Sequence, residues 1–212
     1  MKIEIWSDIM CPFCYIGKRR LEAALTKFEN KEHVEIIWKS YMLNPNMKTD
    51  TGKNINQYLA EIKGWSLEQA KEMNAHVTNM AKEVGLTYDF DKAIVANSLK
   101  AHCLIQLAKT KNKGNAIEER LFKAYFTEGK NVDDEKTLVE LGNEIGLEES
   151  EVRLALRDLN YLNEVDKDIR EAQQIGVRGV PFFVIDRKYG ISGAQPESVF
   201  TETLTKAWAE NN

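Results

Sequence analysis

The sequence predicts a mixed α/β chain in which a large helical block is inserted into a smaller, sheet-containing framework. Three observations predict it. The first forty residues read strand, helix, strand; the stretch from about Thr51 to Leu159 carries helical periodicity; and strand character returns only near Val180, in a hairpin followed by a closing helix. No internal repeat or low-complexity linker interrupts the chain, so the helical block reads as an insertion. The expected division is one domain from residues 1–50 and 165–212 and an inserted all-helical domain over 51–164.

Each element has its own signal. In Lys2-Ile3-Glu4-Ile5-Trp6-Ser7 apolar and charged residues alternate, the period of a strand with one buried face. Ile16, Leu21, Ala24, Leu25 and Phe28 then recur at helical spacing among Lys18, Arg19, Arg20, Glu22 and Lys27. Val34 to Tyr41 reads as a second strand, ending in Leu43-Asn44-Pro45. Helical windows follow over 55–63, 67–84, 92–109, 116–127, 135–145 and 151–159, so that the middle is expected to be helical throughout. Ser66 with Gln69 offers a capping box, Asp91 and Asp133 or Asp134 offer caps, and Gly85 and Gly146 offer stops. Val180 to Asp186 and Tyr189 to Gly193 read as an antiparallel hairpin turning at Arg187-Lys188, and Pro196 to Trp208 as the closing helix.

Bulk properties bound the function. At 212 residues and 43% hydrophobic content the chain can bury one sizeable core or two modest ones. A net charge of -4 (29 basic against 33 acidic residues) leaves no basic field for nucleic acid or anionic lipid. No apolar run approaches membrane-spanning length and no leader pattern precedes the first strand, so neither nucleic acid nor membrane is an expected partner and the expected compartment is the cytoplasm. An odd, low count of three cysteines fits a reducing compartment too.

Two of those cysteines lie in Ser7-Asp8-Ile9-Met10-Cys11-Pro12-Phe13-Cys14, where strand turns into helix. Proline has no N–H to leave unsatisfied and a φ suited to the first helical position, so Cys11 is expected as N-cap and Cys14 one turn inside. In that geometry the Cys14 N–H and the positive end of the helix can meet the Cys11 sulfur and favour a thiolate there. Cys11 is then the exposed thiol, and Cys14, buried behind it, is close enough to form or open a disulfide. A zinc site would need two more ligands, and the candidates are few: His102 and Cys103, about a hundred degrees apart on a helix, and the isolated His33 and His76. No metal site is expected, and a static disulfide closing so short a loop would restrain little of the unfolded chain.

Pro181 opens an apolar strand after Gly179-Val180, and two readings stay open: the start of an edge strand, or a cis bond that leaves the Val180 backbone free to pair with extended substrate. His102, beside Leu99, Cys103 and Leu107, reads as a half-buried helix histidine making one hydrogen bond. Cys103 reads as a small core thiol. Trp6, Trp38, Trp65 and Trp208 read as packing residues, with Trp6 also placed to flank a pocket.

Several motifs, in order along nearly the whole chain, resemble the DsbA-like thioredoxin family, and most closely its FrnE-type branch. They are Cys11-Pro12-Phe13-Cys14-Tyr15-Ile16-Gly17, Leu43-Asn44-Pro45, Ala101-His102, Leu121 to Phe126, Gly176 to Phe183, and Ser192-Gly193-Ala194-Gln195. The resemblance implies a thioredoxin fold interrupted by a helical domain, a redox pair at Cys11 and Cys14, and a cis-proline at Pro181. It implies catalytic roles for those three, substrate-binding positions at Pro12, Phe13, Val180 and His102, and no cofactor beyond the cysteine pair. The expected partners are disulfide-containing proteins or small thiols, with glutathione a candidate co-substrate. The expected activity is thiol–disulfide reduction or isomerisation. The same superfamily holds the kappa-class glutathione transferases and the 2-hydroxychromene-2-carboxylate isomerases, the alternative reading, but these place serine where Cys11 stands.

Overall fold

The computed structural model describes residues 1–211, with side chains to residue 210. The chain forms two compact units, residues 1–43 with 164–212 and residues 44–163. The division falls within one helix.

The first unit is built on a four-stranded sheet of order β2-β1-β5-β6. β1 (Lys2–Ser7) runs parallel to β2 (Glu35–Ser40), with Ile3 opposite Ile36 and Ser7 opposite Ser40. β5 (Phe182–Ile185) lies antiparallel to β1, with Trp6 opposite Phe182, and β6 (Tyr189–Ser192) closes the hairpin on β5. The hairpin turn places Asp186 and Arg187 at positive φ. Helix α1 (Pro12–Lys27) packs against the closing helix α9 (Glu197–Asn211), and Phe200 of α9 meets Phe183 edge-on at 4.8 Å.

The alternation in β1 predicts one buried face, yet every residue from Ile3 to Ser7 is buried. A central strand covered on both faces explains this. Ile3 and Ile5 share one face, and Glu4 and Trp6 point to the other because side chains alternate along a strand. There Trp6 joins Ala172, Val177 and Val184 in a core cluster, and Tyr41, Val180 and Phe182 pack on it. The polar group of the ring is satisfied, since Nε1 donates to the Asp168 carbonyl at 2.9 Å. Glu4 is buried because charge is supplied: Lys39 bridges Asp168 at 3.0 Å and Glu171 at 2.9 Å, and Arg187 pairs with both Glu4 and Glu171.

The second unit holds α2 (Ile55–Lys63), α3 (Leu67–Glu83), α4 (Leu99–Thr110), α5 (Gly114–Phe126), α6 (Glu135–Glu144) and α7 (Glu149–Ala155), and α8 (Leu159–Gln174) begins there. Ser66 and Gln69 form the expected capping box, Asp134 caps α6 through the Thr137 N–H, and Gly85 and Gly146 follow α3 and α6 at φ +78°. This unit is not helical throughout. β3 (Asp50–Asn54) pairs antiparallel with the two-residue β4 (Ile94–Val95), so the helix expected over 92–109 starts only at Leu99, after Ser98, and Asp91 caps nothing. The β-branched Ile94 and Val95 fit a strand as well as a helical stripe, and the polar run of β3 carries no apolar alternation to announce it.

Candidate active site

The site begins with the turn that joins β1 to α1. The Cys11 N–H donates to the Asp8 carbonyl at 2.9 Å, and the chain enters α1 at Pro12 with Cys11, in extended conformation, as the N-cap. The Asp8 side chain, itself buried, braces this turn: Oδ1 accepts from the Met10 N–H at 3.2 Å and Oδ2 from the Leu43 N–H at 2.7 Å. The Tyr41 N–H donates to the Ser7 carbonyl at 2.9 Å, so the segment leaving β2 runs beside the turn.

The sulfur of Cys11 differs from its expected placement in two ways. The Cys14 N–H is taken by the Cys11 carbonyl at 3.0 Å, and among the described residues no N–H caps the Cys11 sulfur. Instead the thiol donates to the Val180 carbonyl at 3.4 Å, because a protonated sulfur is a donor and the carbonyl is the acceptor in reach. Nor is Cys11 the exposed member of the pair: it is 3% exposed, and Cys14 is 1% exposed. Burial, then the hydrogen bond and charge of Cys11, push the Cys14 thiol well up, while the Asp8 backbone N–H and the Ser7 hydroxyl pull it back weakly. Cys14 therefore keeps its proton through the neutral range.

The other half of the site comes from residues 180–183. The Val180–Pro181 peptide bond is cis. Pro181 directly precedes β5, an interior strand, so its missing N–H costs the sheet no ladder bond, and the edge-strand reading does not hold. Its carbonyl accepts from the Gly193 N–H at 2.8 Å. Gly17, one turn beyond Cys14, permits the approach: a Cβ there would lie 3.0 Å from the Pro181 ring and 3.1 Å from the Phe183 ring. Phe13, between the cysteines, is 39% exposed. A cysteine pair at a helix start, with a proline loop laid across it, spans the ends of the chain. The DSBA-like thioredoxin domain matches residues 2–205.

The chain belongs to the DsbA-like thioredoxin family.

Within that family, the crystal structure of a probable DsbA oxidoreductase from Streptomyces coelicolor superposes with a TM-score of 0.93 at 40% identity, covering 99% of this chain and 91% of that one. An uncharacterized Bacillus subtilis protein, YwbO, is 26% identical over 214 residues, which is 96% of this chain and 95% of that protein. The cytosolic disulfide reductase DsbM from Pseudomonas aeruginosa, solved also with GSH, shares the fold with a TM-score of 0.70 at 18% identity, over 97% of this chain and 98% of its own.

In this DsbA-like chain the first unit brings together Cys11, Pro12, Phe13, Cys14, Val180 and Pro181. His102 belongs to the other unit and is wholly buried on α4, not half-buried as its spacing suggests. Cys103 beside it is wholly buried, and burial pushes its thiol up to about 11. Trp6 lies under Val180 in the core cluster, a packing role that also floors the site. Among the described residues no three His, Cys, Asp or Glu side chains gather where they could hold a metal ion, and no helix is long and apolar enough to cross a membrane. Sequence reasoning missed Asp8 and Gly17. Asp8 read only as a residue of the turn, and a glycine within a helix is a detectable signal because it costs helix stability without a packing reason.

Proposed function

We propose that the protein is a thiol–disulfide oxidoreductase of the reductase or isomerase type, of the FrnE-type branch. The Cys11 thiolate attacks one sulfur of a substrate disulfide, forming a mixed disulfide and releasing the other sulfur as a thiolate. Cys14 then gives up its proton and attacks the Cys11 sulfur, releasing the reduced substrate thiol and leaving a Cys11–Cys14 disulfide. Two electrons pass from the pair to the substrate, and the pair must be reduced again by an external thiol.

The observation that carries this reading is the asymmetry of the pair. Cys11 stands at the helix N-terminus against the Val180 carbonyl, and Cys14 is buried behind it as a thiol held protonated. Only one of the two is then the nucleophile, and the other waits until a mixed disulfide forms. Pro12, Phe13, Val180 and Pro181 are the proposed substrate-side residues. Assigning His102 to that role rests on the resemblance alone. Glutathione as co-substrate is supported by the similarity to DsbM, and a reducing, cytoplasmic setting by that similarity and by the low cysteine count. A cysteine at position 11 speaks against the transferase and isomerase alternative.

Insulin reduction with dithiothreitol as electron donor, accompanied by thiol titration, tests the reading. Catalysed precipitation of insulin, together with two thiols lost on oxidation and regained on reduction, is expected. No acceleration over dithiothreitol alone would overturn it.

A further inference from the structure

Ile3, Ile5 and Ser7 share one face of β1, since side chains alternate along a strand, and all three are buried, Ser7 at 0% exposure. On that face the adjoining strand brings Phe183, opposite Ile5, so near Gly17 of α1 that a Cβ there would lie 3.1 Å from its ring. Ser7 therefore lies beneath the start of α1, the turn of helix that carries Cys14. Two apolar residues are followed by a hydroxyl where alanine would satisfy the packing. The backbone of Ser7 is accounted for: it pairs with β2, opposite Ser40, and its carbonyl accepts from the Tyr41 N–H at 2.9 Å. The side chain is not. Ser7 Oγ is buried without a hydrogen-bond partner among the described residues, although buried hydroxyls are ordinarily paired and an unpaired one destabilises the fold.

The group on which that hydroxyl acts is the Cys14 thiol, whose ionisation it favours together with the Asp8 backbone N–H. A neutral thiol is a weak acceptor, so at rest it gives Ser7 little. A thiolate carries a full charge, and hydrogen bonds to an ionised acceptor are about twice as strong as neutral ones. The orphaned hydroxyl thus finds its acceptor only while Cys14 is negatively charged, which is when a mixed disulfide is being resolved. A donor engaged in the reacting state and idle in the resting state lowers the barrier of the step rather than stabilising the fold. We propose that Ser7 Oγ is the donor that stabilises the Cys14 thiolate in the resolving step, so that Ser7 sets how fast the mixed disulfide is released. In that step the Cys14 proton passes to water and the Ser7 hydroxyl turns its hydrogen to the sulfur. Cys14 Sγ then bonds to Cys11 Sγ, and the bond from Cys11 to the substrate sulfur breaks with its electron pair leaving on the substrate. This inference rests on the reading of Cys14 as the resolving thiol and adds a residue to the same site.

The test follows the full-length reduced protein reacting with the symmetrical disulfide of thionitrobenzoate at neutral pH. Attack by Cys11 releases one coloured thiolate and leaves the other half of the reagent on Cys11, and resolution by Cys14 releases the second. The two releases time attack and resolution separately. Losing one hydrogen bond to the thiolate should cut the thiolate fraction about tenfold. The thiolate that remains is more basic, and at a Brønsted slope of about 0.4–0.5 it is about threefold more nucleophilic. The second release should therefore slow about threefold in Ser7→Ala, with the first unchanged. Reduced Ser7→Ala should unfold at a urea concentration no lower than the wild type, since the hydroxyl removed has no partner to lose. Ser7→Thr, which keeps the hydroxyl, should restore the second rate; should the extra methyl of threonine unfold the chain, Ser7→Ala decides by itself. A second release at the wild-type rate in Ser7→Ala, or both releases slowed alike, overturns the proposal, as does a folded Ser7→Thr as slow as Ser7→Ala. A Ser7→Ala protein that unfolds at lower urea, or does not fold, shows the hydroxyl bonded at rest and overturns it too. If the wild type releases only one thiolate, or Cys14→Ser still releases two, the reading of Cys14 as the resolving thiol has failed, and the proposal with it.

Discussion

Gly17→Ala perturbs the contact between α1 and the proline loop, and the structure sets its size. The new methyl would sit 3.0 Å from Cγ of Pro181 and 3.1 Å from Cζ of Phe183, both belonging to rings buried in the core. Restoring an ordinary contact of about 3.4 Å requires a shift of about 0.4 Å, the kind of local overpacking that costs about 1–3 kcal/mol. Replacing a helical glycine by alanine returns about 1 kcal/mol through helix propensity. Net stability should therefore fall by at most about 2 kcal/mol, and the domain should remain folded. Turnover should respond more. If a misplacement of about 1 Å costs about 100-fold, 0.4 Å scaled in the logarithm costs about sixfold. Urea unfolding and the insulin assay, run on the same preparation, separate the two effects. A variant as active as wild type and more stable would show that Gly17 gives ordinary helix room and that Pro181 is not held by α1.

Other expectations follow from the same geometry. Iodoacetamide should label Cys11 first across the neutral range, with Cys14 and Cys103 labelled only in strongly alkaline solution, because burial pushes both thiols up; prior labelling of either would reverse the assigned roles. Burial alone would raise the Glu171 carboxyl, but its hydrogen bonds to Lys39 and Arg187 outweigh that and lower it. A carboxyl lowered on folding contributes stability above its unfolded value of about 4.3 that is lost as pH falls through the folded value. Wild type should thus lose about 1 kcal/mol more than Glu171→Gln in urea titrations between pH 6 and pH 3, and equal losses would refute the pairing. Pro12 and Phe13 bring no positive charge between the cysteines, so equilibration against glutathione should place the potential within about -270 to -200 mV; a value above about -150 mV would mean an unrecognised charge acts on Cys11.

Much of the fold was legible because its signals are local. Alternation marked β1, Val34 to Tyr41 read as the strand that became β2, Pro12 marked the start of α1, and Ser66 with Gln69 marked α3. What escaped depends on partners distant in the chain. β3 is a polar run whose strand character comes only from pairing with Ile94 and Val95. Glu4 looked like a solvated residue because Arg187 and Lys39, which neutralise it, lie far away in sequence. The same holds in the site. The cysteine pair could be read from its spacing and the proline loop from the family resemblance, but the Val180 carbonyl on Cys11, the Asp8 bridge to Leu43 and the Gly17 contact with Pro181 arise only when the two ends of the chain meet. That meeting also buries Cys11, which position at a helix start alone would have left exposed.

The central claim, that Cys11 attacks and Cys14 resolves, is tested most directly by trapping. Cys14→Ser incubated with oxidised insulin should accumulate a mixed disulfide that mass spectrometry locates on Cys11, while Cys11→Ser should accumulate none. Adducts on Cys103, or equal trapping by Cys11→Ser through Cys14, would contradict the assignment.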